Sequence, residues 1–198
     1  MTNAELARAL ARIGTLLEID GANVFRVRAY REGARVVEAH EQSLAGLVDE
    51  PGALEALPGI GKGIAQNIRE LTATGRTAIM DELLGKYPEE VVGFTELQGL
   101  GPKRVRTLFD TLGITTRAAL AKAAEEGRLR DLPGFGEKVE QNVIKALATA
   151  AAYSGRMLLA EVWPLAHALR DAILAVRGVT QVELAGSFRR RQIGRAHV

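Results

Sequence analysis

The chain reads as mainly α, closing on the first helix and strand of an α/β domain. Three observations carry that reading: helical spacing of apolar residues through most of the 198 positions, a glycine-rich element that returns three times, and one alternating apolar segment near the end. Composition sets the bounds. With 47% hydrophobic and 25% charged residues the chain is expected to fold rather than stay disordered. No apolar run reaches the length of a membrane span, and the polar opening Met1-Thr2-Asn3-Ala4-Glu5 is no secretory signal. A cytoplasmic location without a membrane partner is the expectation. Absence of cysteine excludes a disulfide framework, a thiol nucleophile and a cysteine-based zinc site. A net charge of +2 decides nothing alone, so the placement of the basic residues must show whether nucleic acid is a partner.

Leu6, Leu10, Ile13 and Leu17 lie at helical spacing behind Thr2 or Asn3, either of which can cap a first helix that Gly21 ends. Val27, Tyr30, Ala34 and Val37 mark a second amphipathic helix, with Arg28, Arg31 and Arg35 on its other faces. Ser43 can cap a short third helix, and Asp49-Glu50-Pro51-Gly52 reads as a turn. Residues 53–57 read as a further short helix.

The chain then repeats itself. Leu57-Pro58-Gly59-Ile60-Gly61-Lys62 is echoed by Leu97-Gln98-Gly99-Leu100-Gly101-Pro102-Lys103 and again by Leu132-Pro133-Gly134-Phe135-Gly136-Glu137-Lys138. The copies lie 40 and then 35 residues apart, and each runs into an apolar-periodic helix. Those helices are marked by Ile64, Ile68 and Leu71, by Val105, Leu108, Phe109 and Leu112, and by Val139, Val143 and Leu147. Between the second and third copies, Thr116 can cap a helix over residues 118–126 that Gly127 stops. Further on, Leu158, Val162, Leu165, Leu169, Ile173 and Val176 predict one long helix with Pro164 as a kink near its start, closed by Gly178. Residues 179–185, alternating around Val182 and Leu184, predict a strand that one edge alone cannot stabilise. The tail Ile193-Gly194-Arg195-Ala196-His197-Val198 fits no element and matches the translation of a common sequencing adapter, so it is expected to be non-native.

The repeat has a physical logic. Its two glycines let the chain turn tightly and approach another backbone closely. The helix that starts at the second glycine exposes unpaired amides and the positive end of its dipole, for which a phosphate is a natural ligand. A lysine follows within the first turn in every copy, as Lys62, Lys103 and Lys138. One such element could be a plain loop with a glycine cap; three copies with the same apolar flanks favour a shared ligand. The first copy, Gly59-x-Gly61-x-Gly63, is no dinucleotide fingerprint, because it lacks the sixth-position glycine and a preceding strand. No Walker A sequence is present either.

These residues resemble the helix-hairpin-helix motif, whose backbone amides grip a DNA phosphate without reading bases. The resemblance assigns DNA contacts to Gly59, Gly61, Lys62, Gly63, Gly99, Gly101, Lys103, Arg104, Gly134, Gly136 and Lys138. It also implies a potassium or sodium ion held by the carbonyls of Leu57 and Ile60, of Leu97 and Leu100, and of Leu132 and Phe135. The wider arrangement is similar to the bacterial branch of the family X DNA polymerases. Ala29-Tyr30-Arg31 ahead of the first hairpin and Gly75-Arg76 after its helix resemble their small N-terminal domain. Ala185-Gly186-Ser187-Phe188-Arg189-Arg190 resembles the Gly-Ser-x-Arg-Arg segment closing their first palm strand.

From this resemblance the chain divides into an N-terminal helical domain (1–88), a fingers-like region with the second and third hairpins (89–154), the start of a nucleotidyltransferase palm (155–192) and the tail (193–198). Gly186, Ser187 and Arg190 would contact the triphosphate of an incoming deoxynucleotide, while gapped or primer-template DNA lies along the hairpins. Two departures stand out. The aspartates that hold catalytic Mg2+ in the family have no counterpart before the sequence leaves the pattern at Gln192, so the chain alone is expected to transfer no nucleotide. Members with deoxyribose-phosphate lyase activity carry a Schiff-base lysine where Asn67 stands here, and an amide forms no imine. The function expected is therefore the DNA-binding portion of a gap-filling repair polymerase. A stand-alone helix-hairpin-helix scaffold of repair or recombination is the alternative, and a protein-interaction fold with structural hairpins a third.

Overall fold

The computed structural model describes residues 1–153, 159–176, 178, 179 and 181–184. Among them the chain forms α1 (Asn3–Ile19), α2 (Val24–Ala39), α3 (Lys62–Thr74), α4 (Ala78–Lys86), α5 (Glu89–Gly93), α6 (Pro102–Leu112), α7 (Arg117–Glu125), α8 (Glu137–Tyr153) and α9 (Leu159–Leu174). Single 3-10 turns at Leu44–Gly46 and Phe94–Glu96 complete the regular structure. The mainly helical class is as expected. The strand expected over 179–185 is not formed at Val179 or at 181–184, and Ala185 lies outside the described residues. A strand takes its backbone hydrogen bonds from a neighbour, and the described residues contain no second strand to supply them.

The fold divides into two compact units, Met1–Ala148 and Thr149–Val198. In the first, Thr2 opens α1 through a capping box: its hydroxyl accepts from Glu5 N at 3.3 Å while Glu5 Oε2 accepts from Thr2 N at 2.7 Å. Leu6, Leu10, Ile13 and Leu17 are buried against Val27, Tyr30, Ala34 and Val37, so the two predicted apolar faces meet in the core. Fully burying side chains of this size contributes about 1.5–3 kcal/mol each. Asn3 has another task. Its Nδ2 donates to His40 O at 2.9 Å and Gln42 O at 2.7 Å, and its Oδ1 accepts from Leu44 N at 2.9 Å. The expected third helix is consequently a single 3-10 turn whose amide is held by Asn3 rather than by the Ser43 side chain.

Residues 53–57 form turns and not a helix. Only Ala56 N reaches four residues back, to Gly52 O at 3.0 Å, and Pro58 disfavours helical backbone at Leu57. Two helices beyond those expected, α4 and α5, cover the middle of the chain; Thr77 caps α4 by accepting from Met80 N at 3.1 Å. Tyr87, just after α4, donates to Asp20 Oδ1 at 3.2 Å and packs edge-on against Phe109, with ring centroids 5.2 Å apart. Burial, then the Asp20 carboxylate, raises the pKa of its phenol. Arg106 of α6 donates Nη1–H to Asp20 O at 2.8 Å. The corner after α1 thus ties the N-terminal helices to the middle of the chain. Thr116 caps α7 by accepting from Ala119 N at 3.1 Å, and Gly127 ends it at φ +72°.

In the second unit, α9 carries Pro164 inside the helix, as its placement in the sequence suggested. Two apolar side chains on it, Leu165 and Leu169, are each 62% exposed.

Glu140, at the end of the first turn of α8, is the one fully buried carboxylate among the described residues. It accepts from Leu129 N and Arg130 N, both at 3.1 Å, and from Arg130 Nε at 2.8 Å. Burial pushes its pKa up, but the Arg130 side chain and the two amides outweigh burial and hold it below the usual glutamate value. A carboxylate depressed in the folded state contributes stability above its unfolded pKa and loses it as pH falls through the folded pKa. Glu140→Gln should therefore lower the thermal midpoint at neutral pH, and the deficit should shrink as pH drops below about 4.5. Circular-dichroism melts of both proteins across that range check it; a deficit independent of pH would mean that shape, not charge, is what Glu140 supplies.

Candidate nucleic-acid interface

The three glycine elements share one local geometry. Ile60 N donates to Leu57 O, Leu100 N to Leu97 O, and Phe135 N to Leu132 O, each at 3.0 Å. The third residue of each turn is a glycine at positive φ: Gly59 at +90°, Gly99 at +94° and Gly134 at +79°. Only glycine takes that backbone region without strain. Ile60, Leu97, Leu100 and Leu132 are buried, with Leu57 and Phe135 packed at the edge of the core. Each turn is thus anchored from beneath, and at Gly59 and Gly99 it is also flanked by side chains of a neighbouring helix.

The second glycine has a different standing. Gly61 and Gly101 cap α3 and α6 with φ near −80° and ψ 168°, which any residue adopts. A Cβ on Gly61, Gly63, Gly101 or Gly136 would meet nothing within 4 Å. Neither backbone angle nor internal packing asks for glycine there, so the small residue leaves room for something outside the chain. No side chain caps α3 or α6. The first amides to bond inside the helices are Ile64 N to Gly61 O, Arg104 N to Gly101 O and Val139 N to Gly136 O, each at 3.0 Å. Among the described residues, the amides of Gly61, Lys62 and Gly63 in the first hairpin find no acceptor. Nor do those of Gly101 and Lys103 in the second, where Pro102 has no N–H to give. In the third the corresponding groups belong to Gly136, Glu137 and Lys138. Lys62, Lys103 and Lys138 are exposed beside these helix starts.

The carbonyls of Leu57, Leu97 and Leu132 each accept the turn bond and keep a second lone pair. Those of Ile60, Leu100 and Phe135 receive no backbone donor among the described residues. Neutral oxygen donors of this kind suit a hard monovalent cation. Among the described residues no cluster of three or more histidine, aspartate or glutamate side chains could hold a metal.

Arg104 lies where the repeat pointed but turns inward, donating Nε–H to Gly134 O at 2.7 Å and Nη1–H to Gly99 O at 2.9 Å. Asn67 is buried, and its Nδ2 donates to Tyr30 Oη at 2.7 Å and Gly63 O at 2.8 Å. Two braces were not foreseen. Arg69 makes a two-pronged pair with Glu55, both contacts at 2.9 Å, which ties the turns before the first hairpin to α3 and lowers the Glu55 pKa through that hydrogen bonding. Arg130 does the equivalent for the third hairpin through Glu140. Gly186, Ser187 and Arg190 lie outside the described residues.

Anchored glycine turns that open onto uncapped helix starts are the geometry of the helix-hairpin-helix motif, and two family models match along the chain. Residues 1–77 match a helix-hairpin-helix domain, and residues 92–149 match a SAM-like helix-hairpin-helix tandem. The chain is a homologue of the DNA polymerase/3'-5' exonuclease PolX of Bacillus subtilis (strain 168), 30% identical over 190 residues. That match takes in 96% of this chain and 33% of the relative, so the chain spans about a third of the length of the curated relative it matches.

The two glycines of one hairpin should respond oppositely to substitution. Gly59→Ala forces a Cβ into positive φ and to 3.1 Å from Val36 Cγ2, and should cost about 1–2 kcal/mol of stability. Gly61→Ser meets open space and supplies a better helix cap, so stability should stay level or rise by a few tenths of a kcal/mol. Urea unfolding monitored by circular dichroism checks both; an equal loss in the two variants would mean that Gly61, too, is needed by the fold.

Proposed function

We propose that the chain is the DNA-engaging part of a family X polymerase that fills gaps in repair, binding gapped or primer-template DNA through phosphates rather than bases. The observation that carries this reading is the set of outward glycines at uncapped helix starts, needed by neither backbone nor packing, each beside an exposed lysine. Homology to PolX along nearly the whole chain favours a polymerase over a stand-alone scaffold. The exposed Leu165 and Leu169 of α9 are the kind of surface a palm sheet would cover. In such a polymerase Gly186, Ser187 and Arg190 would meet the triphosphate, and Mg2+ would be held by carboxylates. A potassium or sodium ion at the hairpin carbonyls would add positive charge beside each phosphate. A cytoplasmic site of action goes with this reading; no described helix is long and apolar enough to cross a membrane.

Binding should be indifferent to sequence and sensitive to salt. Two or three neutralised phosphates give a log–log slope of roughly −1.4 to −2.7, at about 0.7–0.9 per contact. Gly61→Val and Gly101→Val should weaken binding more than Lys62→Ala and Lys103→Ala. Valine blocks the approach of the phosphate to several amides, whereas lysine loss removes one screened charge. Fluorescence anisotropy with gapped and random-sequence duplexes across a salt series tests this. Salt-independent binding, or binding that survives both glycine substitutions in one folded protein, would make the hairpins spacers.

Lyase chemistry should be absent. Asn67 cannot form an imine, and its amide is spent on Tyr30 and Gly63. Borohydride trapping on a 5′-deoxyribose-phosphate end should yield no adduct. An adduct that vanishes in Lys62→Ala would instead make Lys62 the nucleophile.

A further inference from the structure

We infer that the third hairpin is a buttress for the second rather than a third grip on DNA, and that Arg104 is the positioning residue joining them. The inference rests on the DNA-binding reading above and divides the labour among its hairpins.

The joint is reciprocal. From the first turn of α6, Arg104 sends Nε–H to Gly134 O at 2.7 Å in the third hairpin and Nη1–H to Gly99 O at 2.9 Å in the second. Its guanidinium carbon lies 5.9 Å from the centre of the Phe135 ring, close enough for a cation–π contribution. In return α8 covers the turn of the second hairpin: a Cβ on Gly99 would lie 3.6 Å from Asn142 Cβ. The turn of each hairpin is thus held by the helix of the other. A planar fork donating in two directions is what this joint needs, and a lysine cannot reproduce it.

Charge separates the start of α8 from those of α3 and α6. The first turns of α3 and α6 hold no acid, whereas α8 begins with Glu137 and carries Glu140 close behind. An acid there already complements the helix dipole and opposes a phosphate at the same place. Exposure agrees, since Gly61 and Gly101 are exposed and Gly136 is only half-exposed. The third hairpin meets the second at a groove of about 510 Å³, lined by Gly101, Lys103 and Thr107 on one side and by Pro133 and Gly134 on the other. It therefore presents its turn, and not its helix start, beside the second hairpin's phosphate site.

The test uses the full chain, a labelled gapped duplex and a salt series, with melts to confirm folding. Arg104→Ala should weaken binding about tenfold through lost preorganisation, while the log–log salt slope stays at its wild-type value of about −1.4 to −1.8 for two contacts. Arg104→Lys keeps the charge and loses the fork, so it should bind as poorly as Arg104→Ala. Glu137→Gln should leave both affinity and slope unchanged, because no phosphate sits at that helix start. Near wild-type binding by Arg104→Lys, with a slope reduced by about 0.7–0.9 in Arg104→Ala, would make Arg104 a phosphate ligand and overturn the inference. So would tighter, more salt-sensitive binding by Glu137→Gln. Wild-type protein that binds no DNA would instead sink the underlying reading, which keeps the two failures apart. Should Arg104→Ala fail to fold, the comparison of Arg104→Lys with wild type still decides the matter.

Discussion

Each hairpin depends on one constraint, a chain reversal through a glycine at positive φ closed by a 3.0 Å bond between the residues that flank it. A side chain at that glycine would strain the turn, and an unpaired flanking amide would carry its desolvation cost. Because the turn is tight, the two apolar residues bracketing it sit side by side and plug into the core. Because they are plugged in, the next residue is delivered to the surface in extended backbone, the geometry of a helix cap. The helix then starts with its first amides pointing out. The proposed phosphate binding would thus be a by-product of how the turn is anchored, with no catalytic or specific side chain required for it.

This explains which parts were legible in the sequence. The turn glycines, their apolar flanks and the helices behind them are local consequences of residue type, and the periodic apolar positions from Leu6 to Val143 fall in the core or, as Phe109, Leu112 and Val139 do, pack at its edge. Long-range choices were not legible. Thr2 and Asn3 looked equivalent as caps, yet Asn3 is used to hold the chain at His40, Gln42 and Leu44. Helices α4 and α5 are short, and their sequences include Gly85 and Gly93 with Pro88 between them, so no apolar period could build up. The segment before Pro58 had helix-compatible residues but not the length to nucleate a helix. Residues 179–185 show the limit for strands, since alternation describes a willingness to pair and says nothing of whether a partner is present.

Basic residues separated in a way that composition concealed. A net charge of +2 is uninformative alone, because 26 basic residues are nearly balanced by 24 acidic ones. In the structure Arg69, Arg104, Arg106 and Arg130 spend their guanidinium groups on Glu55, hairpin carbonyls, Asp20 and Glu140. The guanidinium fork is weakly hydrated and geometrically rigid, so it can be committed to an internal joint at modest cost. Lys62 and Lys103, flexible and strongly hydrated, remain exposed at the starts of α3 and α6, where a point charge would be enough for the proposed phosphate contact, which must form and break.

The same separation bears on how the modules cooperate. The first hairpin is fixed by Arg69 and by α2, whose Val36 and Glu32 crowd Gly59, while the tandem is fixed by Arg104 and Arg130. Between them the Asp20 corner receives Arg106 and Tyr87, which joins both modules within the same compact unit. A protein that reads no bases gains its preference for one DNA shape only from the fixed spacing of its phosphate contacts. Internal arginine joints that hold this spacing before DNA arrives would spare the proposed complex the ordering entropy otherwise lost on binding. Rigidity between the hairpins, more than the charge they present, is then the property through which such a chain would tell a gapped or bent duplex from a straight one.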